Sequence, residues 1–263
     1  LKIACIQMDI VFGEPETNFA HVEERMREAA ANGADVIVLP EMWNTGYALT
    51  QLEELADRDG KAESFLAAFA KEHGVHIVGG SVSSKKNHGF TNTMYVVNSS
   101  GETIAEYDKA HLFGLMDEHI HLESGESANL FELNGIPAGG VICYDLRFPE
   151  WLRRHALEGA KVLFVPAEWP APRIDHWRIL LQARAIENQC FIVAVNRVGS
   201  DPANEFGGHS MVIAPWGDVR MELGTEEEIG YADITLDEVD EVRGRIPVFD
   251  DRREWIYSSI LKK

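Results

Sequence analysis

The chain has 263 residues, 45% of them hydrophobic and 25% charged, with 43 acidic against 24 basic side chains and a formal net charge of −19. This is the composition of a water-soluble globular protein with a sizeable core, and the acidity argues against nucleic acid or an anionic membrane as partner, since both need a basic face. Three cysteines make no disulfide framework, and no apolar run reaches the roughly 18–20 residues of a membrane helix, so a cytoplasmic location is the default expectation.

The opening segment 1–8 is too short, and too soon broken by Asp9, to be a signal peptide. It reads as a strand over 2–8. A helical pattern follows at 17–31, then Gly33-Ala34-Asp35-Val36-Ile37-Val38-Leu39-Pro40-Glu41, an apolar strand that ends on a carboxylate. Strands at 76–80 and 94–98 come next, the latter with a turn at Ser100-Gly101. The pattern then repeats. A strand at 136–143 ends on Cys143, a helix covers 149–158, and Gly159-Ala160-Lys161-Val162-Leu163-Phe164-Val165-Pro166-Ala167-Glu168 resembles the segment that begins at Gly33. A helix over 175–189 follows Pro172, with Asp175 as its cap. Strands at 191–195 and 211–214 complete the second half, with a turn at Trp216-Gly217. Val-, Ile- and Leu-rich strands without alternation are covered on both faces, and intervening helices make crossover connections. Two such halves, with no Gly/Ser/Pro-rich linker between them, predict one α/β domain over 1–263. Its two sheets pair face to face with helices outside, as a four-layer α-β-β-α sandwich with an internal pseudo-two-fold repeat.

Ligands of open α/β sheets bind beyond the carboxyl ends of strands. Three such ends carry chemistry here: Glu41, Cys143 and Glu168-Trp169. A carboxylate at the end of an apolar strand is costly to bury as an anion, which suits Glu41 to proton transfer; a salt-bridged glutamate is the plainer alternative. Cys143 turns at once into Tyr144-Asp145-Leu146-Arg147-Phe148-Pro149-Glu150. A thiol there is either a nucleophile held as thiolate by nearby positive charge, or a small buried hydrophobe. Cys5 and Cys190 lie in apolar runs and read as core. Lys109 matters because attack on an amide carbonyl creates an oxyanion that a fixed cation stabilises. The pattern Asp117-Glu118-His119-Ile120-His121 admits a metal reading, a solvated loop, or a role for Glu118 in holding Lys109. Asp145 and Arg147 are expected to pair and fix the turn that presents the thiol, a structural role for Arg147 rather than a contact with substrate. Gly79-Gly80 and Gly207-Gly208 do not fit phosphate loops.

Glu41, Lys109 and Cys143, in this order, have the surroundings of a known family. Leu39-Pro40-Glu41, Lys109-Ala110-His111-Leu112-Phe113 and Cys143-Tyr144-Asp145-Leu146-Arg147-Phe148-Pro149-Glu150 resemble the three signature segments of the nitrilase superfamily of carbon–nitrogen hydrolases. The resemblance runs over nearly the whole chain, including 183–188. It implies Cys143 as nucleophile, Glu41 as general base, Lys109 and the Tyr144 backbone N–H as oxyanion donors, and Glu118 as the second glutamate that orients the lysine. No metal and no cofactor is implied. Glu168-Trp169-Pro170-Ala171-Pro172-Arg173 with His176-Trp177 is similar to the bacterial ω-amidase branch. That branch hydrolyses the terminal amide of 2-oxoglutaramate or 2-oxosuccinamate, in some members within methionine salvage. Arg173 is then the candidate clamp for the substrate carboxylate, with a helix-entry arginine as the alternative. Trp43, Tyr47, Phe113 and Trp169 are candidate pocket walls. The family implies a homodimer or higher homo-oligomer, with helix 175–189 and residues 231–258 as candidate contacts and the segment from about 231 to 263 packing on or across the partner. An N-carbamoyl amino acid amidohydrolase or aliphatic amidase is the rival within the family; a non-catalytic binding protein on the same fold is the rival outside it.

Overall fold

The computed structural model describes residues 1–260, with side chains to 257. Strands β1 (Lys2–Gln7), β2 (Val36–Val38) and β3 (His76–Val78) run parallel, with β2 paired to both others. Helices α1 (Pro15–Ala31) and α2 (Lys61–His73) make the crossovers. β4 (Val82–Lys86), β5 (Gly89–Val97) and β6 (Thr103–Asp108) extend the sheet antiparallel from β3. The second half repeats the plan. After β7 (Leu130–Leu133), the parallel strands are β8 (Ile136–Gly140), β9 (Val162–Ala167) and β10 (Phe191–Asn196), linked by α3 (Pro149–Leu157) and α4 (Ile174–Asn188). β11 (Met211–Ile213) and β12 (Val219–Glu222) extend it antiparallel. The repeat is therefore one of topology: each central triplet is flanked by an antiparallel strand on its first member, β7 on β8 and β13 (Glu228–Asp233) on β1.

Alternation along the first sheet separates its faces, because successive side chains point to opposite sides. Ile3, Cys5, Val36, Val38, Val78, Met94 and Val96 share one core with the second sheet and its helices. Ala4, Ile6, Ile37, Leu39, Ile77 and Val97 join α1 and α2 in another. Two sheets thus meet face to face with helices outside, the four-layer α-β-β-α sandwich. Cys5 and Cys190 are wholly buried in the shared core.

Two local expectations are corrected. Asp175 does not cap α4: the N-cap position is Arg173, without a side-chain cap bond, and Asp175 sits inside the first turn. The strand expected over 136–143 ends at Gly140, although the Val141 N–H still pairs with the Phe164 carbonyl at 3.0 Å. Cys143 itself opens a single-turn helix, Cys143–Arg147. Within the chain, residues 231–233 pair to β1 and Arg243 donates to the Ala160 carbonyl at 2.8 Å. Residues 261–263 of the C-terminal segment lie outside the described residues.

Candidate active site

Cys143 is held at φ +46°, the left-handed region that a non-glycine residue occupies only where the surroundings enforce it. Asp145 does the enforcing. Its Oδ2 accepts the Ile142 N–H at 2.9 Å and the Tyr107 hydroxyl at 2.7 Å. Its Oδ1 accepts the His111 N–H at 2.9 Å and lies 2.7 Å from His111 Nδ1. One buried carboxylate therefore ties the cysteine turn to the segment that follows β6, where Lys109 sits. The expected Asp145–Arg147 pair is absent. Arg147 instead lies over the Trp169 ring, 4.7 Å from its centroid.

Glu41, Lys109 and Glu118 meet with no solvent exposure. The Lys109 ammonium donates to Glu41 Oε1 at 2.8 Å and to Glu118 Oε1 at 2.7 Å. Burial alone would lower the lysine pKa, but Glu118 and Glu41 more than offset it and hold the ammonium charged. Glu118 projects inward from a one-turn helix, Glu118–His121, whose His119 faces solvent. Its Oε2 accepts the Phe113 N–H at 2.6 Å. Burial raises its pKa, Lys109 lowers it and Glu41 raises it again, for a net upward shift. Among the described residues, no three His, Cys, Asp or Glu side chains gather as a metal-holding group.

The Cys143 thiol is nearly buried. Burial, then the Glu41 charge, push its pKa well up, and Lys109 pulls it down by less. These surroundings favour the neutral thiol over the thiolate alternative.

The predicted aromatic residues divide. Phe113 and Trp169 line the narrow pocket that reaches Cys143, as do Tyr144, Arg147, Glu168 and Arg173. Tyr47 is not among the residues lining that pocket; its hydroxyl lies between the two carboxylates, 3.0 Å from Glu41 Oε1 and 2.7 Å from Glu118 Oε1. Trp43 is fully buried in the outer core, edge-on to Phe19 at 4.8 Å, with its indole N–H on the Gly79 carbonyl at 2.8 Å. It stands away from the cavity because a ring that size follows the apolar packing of α1 and α2.

Sequence reasoning passed over two participants. Asn92 donates to Glu41 Oε1 at 2.8 Å, and its carbonyl accepts the Lys109 N–H at 2.9 Å. The polar run Thr91-Asn92-Thr93 inside a buried strand was the available signal. Arg197, just after β10, donates to Glu168 Oε2 and Asp9 Oδ1, both at 2.8 Å. The Glu168 N–H in turn donates to Glu41 Oε2 at 2.8 Å, so the corresponding strand ends of the two halves touch. Burial pushes the Glu168 carboxyl up to about 8 although Arg197 pulls the other way. Its ordinary value is 4.5. Between those pH values the folded chain holds a proton that the unfolded chain has released, so stability falls as pH rises through this window and levels off above it. Glu168→Gln flattens that decline. Urea midpoints from pH 5 to 9 measure it, and an unchanged slope assigns the decline to another group.

Residues 2–244 match the model of the carbon–nitrogen hydrolase family, and the chain belongs to that family. It is an enzyme of the amidase kind. A 2-oxoglutaramate amidase from Bacillus subtilis is 56% identical over 256 residues, covering 97% of this chain and 98% of that protein. An omega-amidase from Escherichia coli K12 is 34% identical, with 97% and 98% covered, and one from Homo sapiens is 33% identical, with 100% and 98% covered. Among solved structures, a carbon–nitrogen hydrolase superfamily protein from Xanthomonas campestris, with an arsenic adduct in its active site, superposes with a TM-score of 0.90 at 30% identity, covering 96% of this chain and 97% of that one.

Proposed function

We propose that this amidase hydrolyses the terminal amide of a small 2-oxo dicarboxylic acid monoamide, 2-oxoglutaramate or 2-oxosuccinamate, to the acid and ammonia. The observation that carries the reading is Arg173, a guanidinium on the wall of the Cys143 cavity with no carboxylate partner among the described residues. A substrate with a carboxylate at one end and an amide at the other would bridge Arg173 and Cys143. The Bacillus relative supports the same substrate.

In the proposed reaction, the Cys143 proton passes to Glu41 as Sγ attacks the amide carbon. An ammonium carries three hydrogens, and Lys109 spends two on Glu41 and Glu118. The third serves the oxyanion together with the Tyr144 N–H. Glu41 then gives its proton to the departing nitrogen, ammonia leaves, and a thioester remains. Water activated by Glu41 cleaves the thioester to the acid and restores the thiol. Glu118 and Tyr47 hold the lysine and the base in place.

Ammonia release across a panel of ω-amides, N-carbamoyl amino acids and nitriles tests the substrate. The highest kcat/KM is expected for 2-oxoglutaramate or 2-oxosuccinamate. Carbon dioxide released with ammonia from a preferred N-carbamoyl substrate would transfer the assignment to the carbamoyl branch. Free thiols at Cys5, Cys143 and Cys190 support a cytoplasmic setting, where methionine salvage would supply such an amide. Ile179 and Ile186, exposed on α4, with Trp216 exposed as well, support assembly as a homodimer or higher homo-oligomer.

A further inference from the structure

The chain carries 43 acidic residues against 24 basic ones, so an arginine here seldom lacks an acceptor. Arg25, Arg154, Arg178 and Arg197 end on carboxylates. Arg153 and Arg243 end on backbone carbonyls. Arg147 and Arg173 do neither among the described residues. Arg147 stacks over Trp169, with Nη2 3.4 Å from His176 Nδ1. The Arg173 guanidinium lies 5.5 Å from the Phe113 ring centroid. Glu150, a neighbouring acid in sequence, borders a separate groove with Arg153 and Arg154. Both unpaired guanidiniums line the cavity that reaches Cys143. They also feel each other: burial, then the charge of Arg173, lowers the Arg147 pKa from its usual value.

Two like charges converging on one cavity raise each other's energy, and an anion placed between them relieves it. Each guanidinium lies against an aromatic ring, Arg147 on Trp169 and Arg173 near Phe113, which restrains both while neither is held by a carboxylate among the described residues. A single carboxylate occupies one fork. The second fork calls for another oxygen in the same region of the ligand, and a 2-oxo acid has one beside its carboxylate.

We propose that Arg147 is a specificity-determining residue that reads the 2-position of the substrate: Arg173 takes the carboxylate, and Arg147 donates to the 2-oxo oxygen and the nearer carboxylate oxygen. The proposal rests on the ω-amidase reading above. It also bears on exclusion, because the ammonium of a 2-amino acid amide would face two guanidiniums.

The test compares kcat/KM for 2-oxoglutaramate, for glutaric acid monoamide, which has the same carboxylate but a methylene at position 2, and for L-glutamine. It uses the full chain, Arg147→Gln and Arg147→Lys. The preference for 2-oxoglutaramate over glutaric acid monoamide is expected to fall roughly 10- to 100-fold in Arg147→Gln, mainly through KM, the scale of charge-assisted hydrogen bonds. L-Glutamine gains relative to 2-oxoglutaramate in the same variant. Arg147→Lys keeps the charge without the planar fork and loses several-fold of the preference; it carries the comparison if Arg147→Gln does not fold. A merely structural arginine would lower all three substrates together, and an unchanged preference in both variants overturns the proposal. A full chain that shows no preference for 2-oxoglutaramate over butyramide fails the ω-amidase reading itself, before any substitution is made.

Discussion

Cys143→Ala abolishes ammonia release, lowering kcat by about 10⁵–10⁶, the scale seen when the nucleophile of a covalent hydrolase is removed. No other thiol can take over. Cys5 and Cys190 are wholly buried in the core between the sheets, and burial pushes both thiols up to about 12. The fold should survive, because the substitution removes one sulfur beside an existing cavity and opens little new void. A coupled ammonia assay read beside a thermal melt checks both halves. Ammonia released at the unsubstituted rate by a protein with an unchanged melt would mean that some other group attacks the amide.

Lys109→Met is expected to cost both rate and stability. The ammonium is the only cation bonded to Glu41 and Glu118 among the described residues, and all three side chains are fully buried. Removing one member of a buried ion pair leaves its partner's charge uncompensated, at about 3–5 kcal/mol. Here two carboxylates are left facing each other across the Tyr47 hydroxyl, and Glu118, already shifted upward by burial, takes up a proton more readily. Loss of an oxyanion donor costs a further 10²–10³ in rate, roughly. Urea unfolding gives the first quantity and kcat/KM the second. The double variant Lys109→Met/Glu118→Gln separates them: it should recover part of the stability and none of the rate. Turnover near the unsubstituted value in Lys109→Met would remove the lysine from the chemistry.

The places of Glu41, Cys143 and Glu168 were legible in the sequence because each follows an apolar run with the pattern of a buried strand, although the strand before the cysteine stops at Gly140. The repeat was legible for the same reason, since two copies of one hydrophobic pattern need no knowledge of contacts. What could not be read was how polar side chains pair across long sequence distances. Asp145 was matched with its neighbour Arg147, whereas its partners Tyr107 and His111 lie more than thirty positions away. Arg197 gave no local sign of holding Glu168. Tyr47 and Trp43 look alike as aromatics near Glu41; only packing sends one hydroxyl between two carboxylates and the other ring under two helices. The resting state of Cys143 turned on a balance. Proximity to Lys109 pointed to thiolate, and burial with Glu41 beside it outweighed that.

The antiparallel pairing of β13 on β1 bears on the order in which the molecule can be assembled. Lys2 lies opposite Asp233 and Gln7 opposite Glu228, so the edge of β1 is covered by a strand far downstream in the chain. Until residue 233 is available, the sheet that carries Glu41 presents an open row of backbone donors and acceptors along β1. A pairing so distant in sequence pays its loop-closure entropy late. The complete sheet behind Glu41 consequently depends on β13, and a nascent chain that has reached Cys143 but not residue 233 still lacks the edge that seals the sheet opposite it.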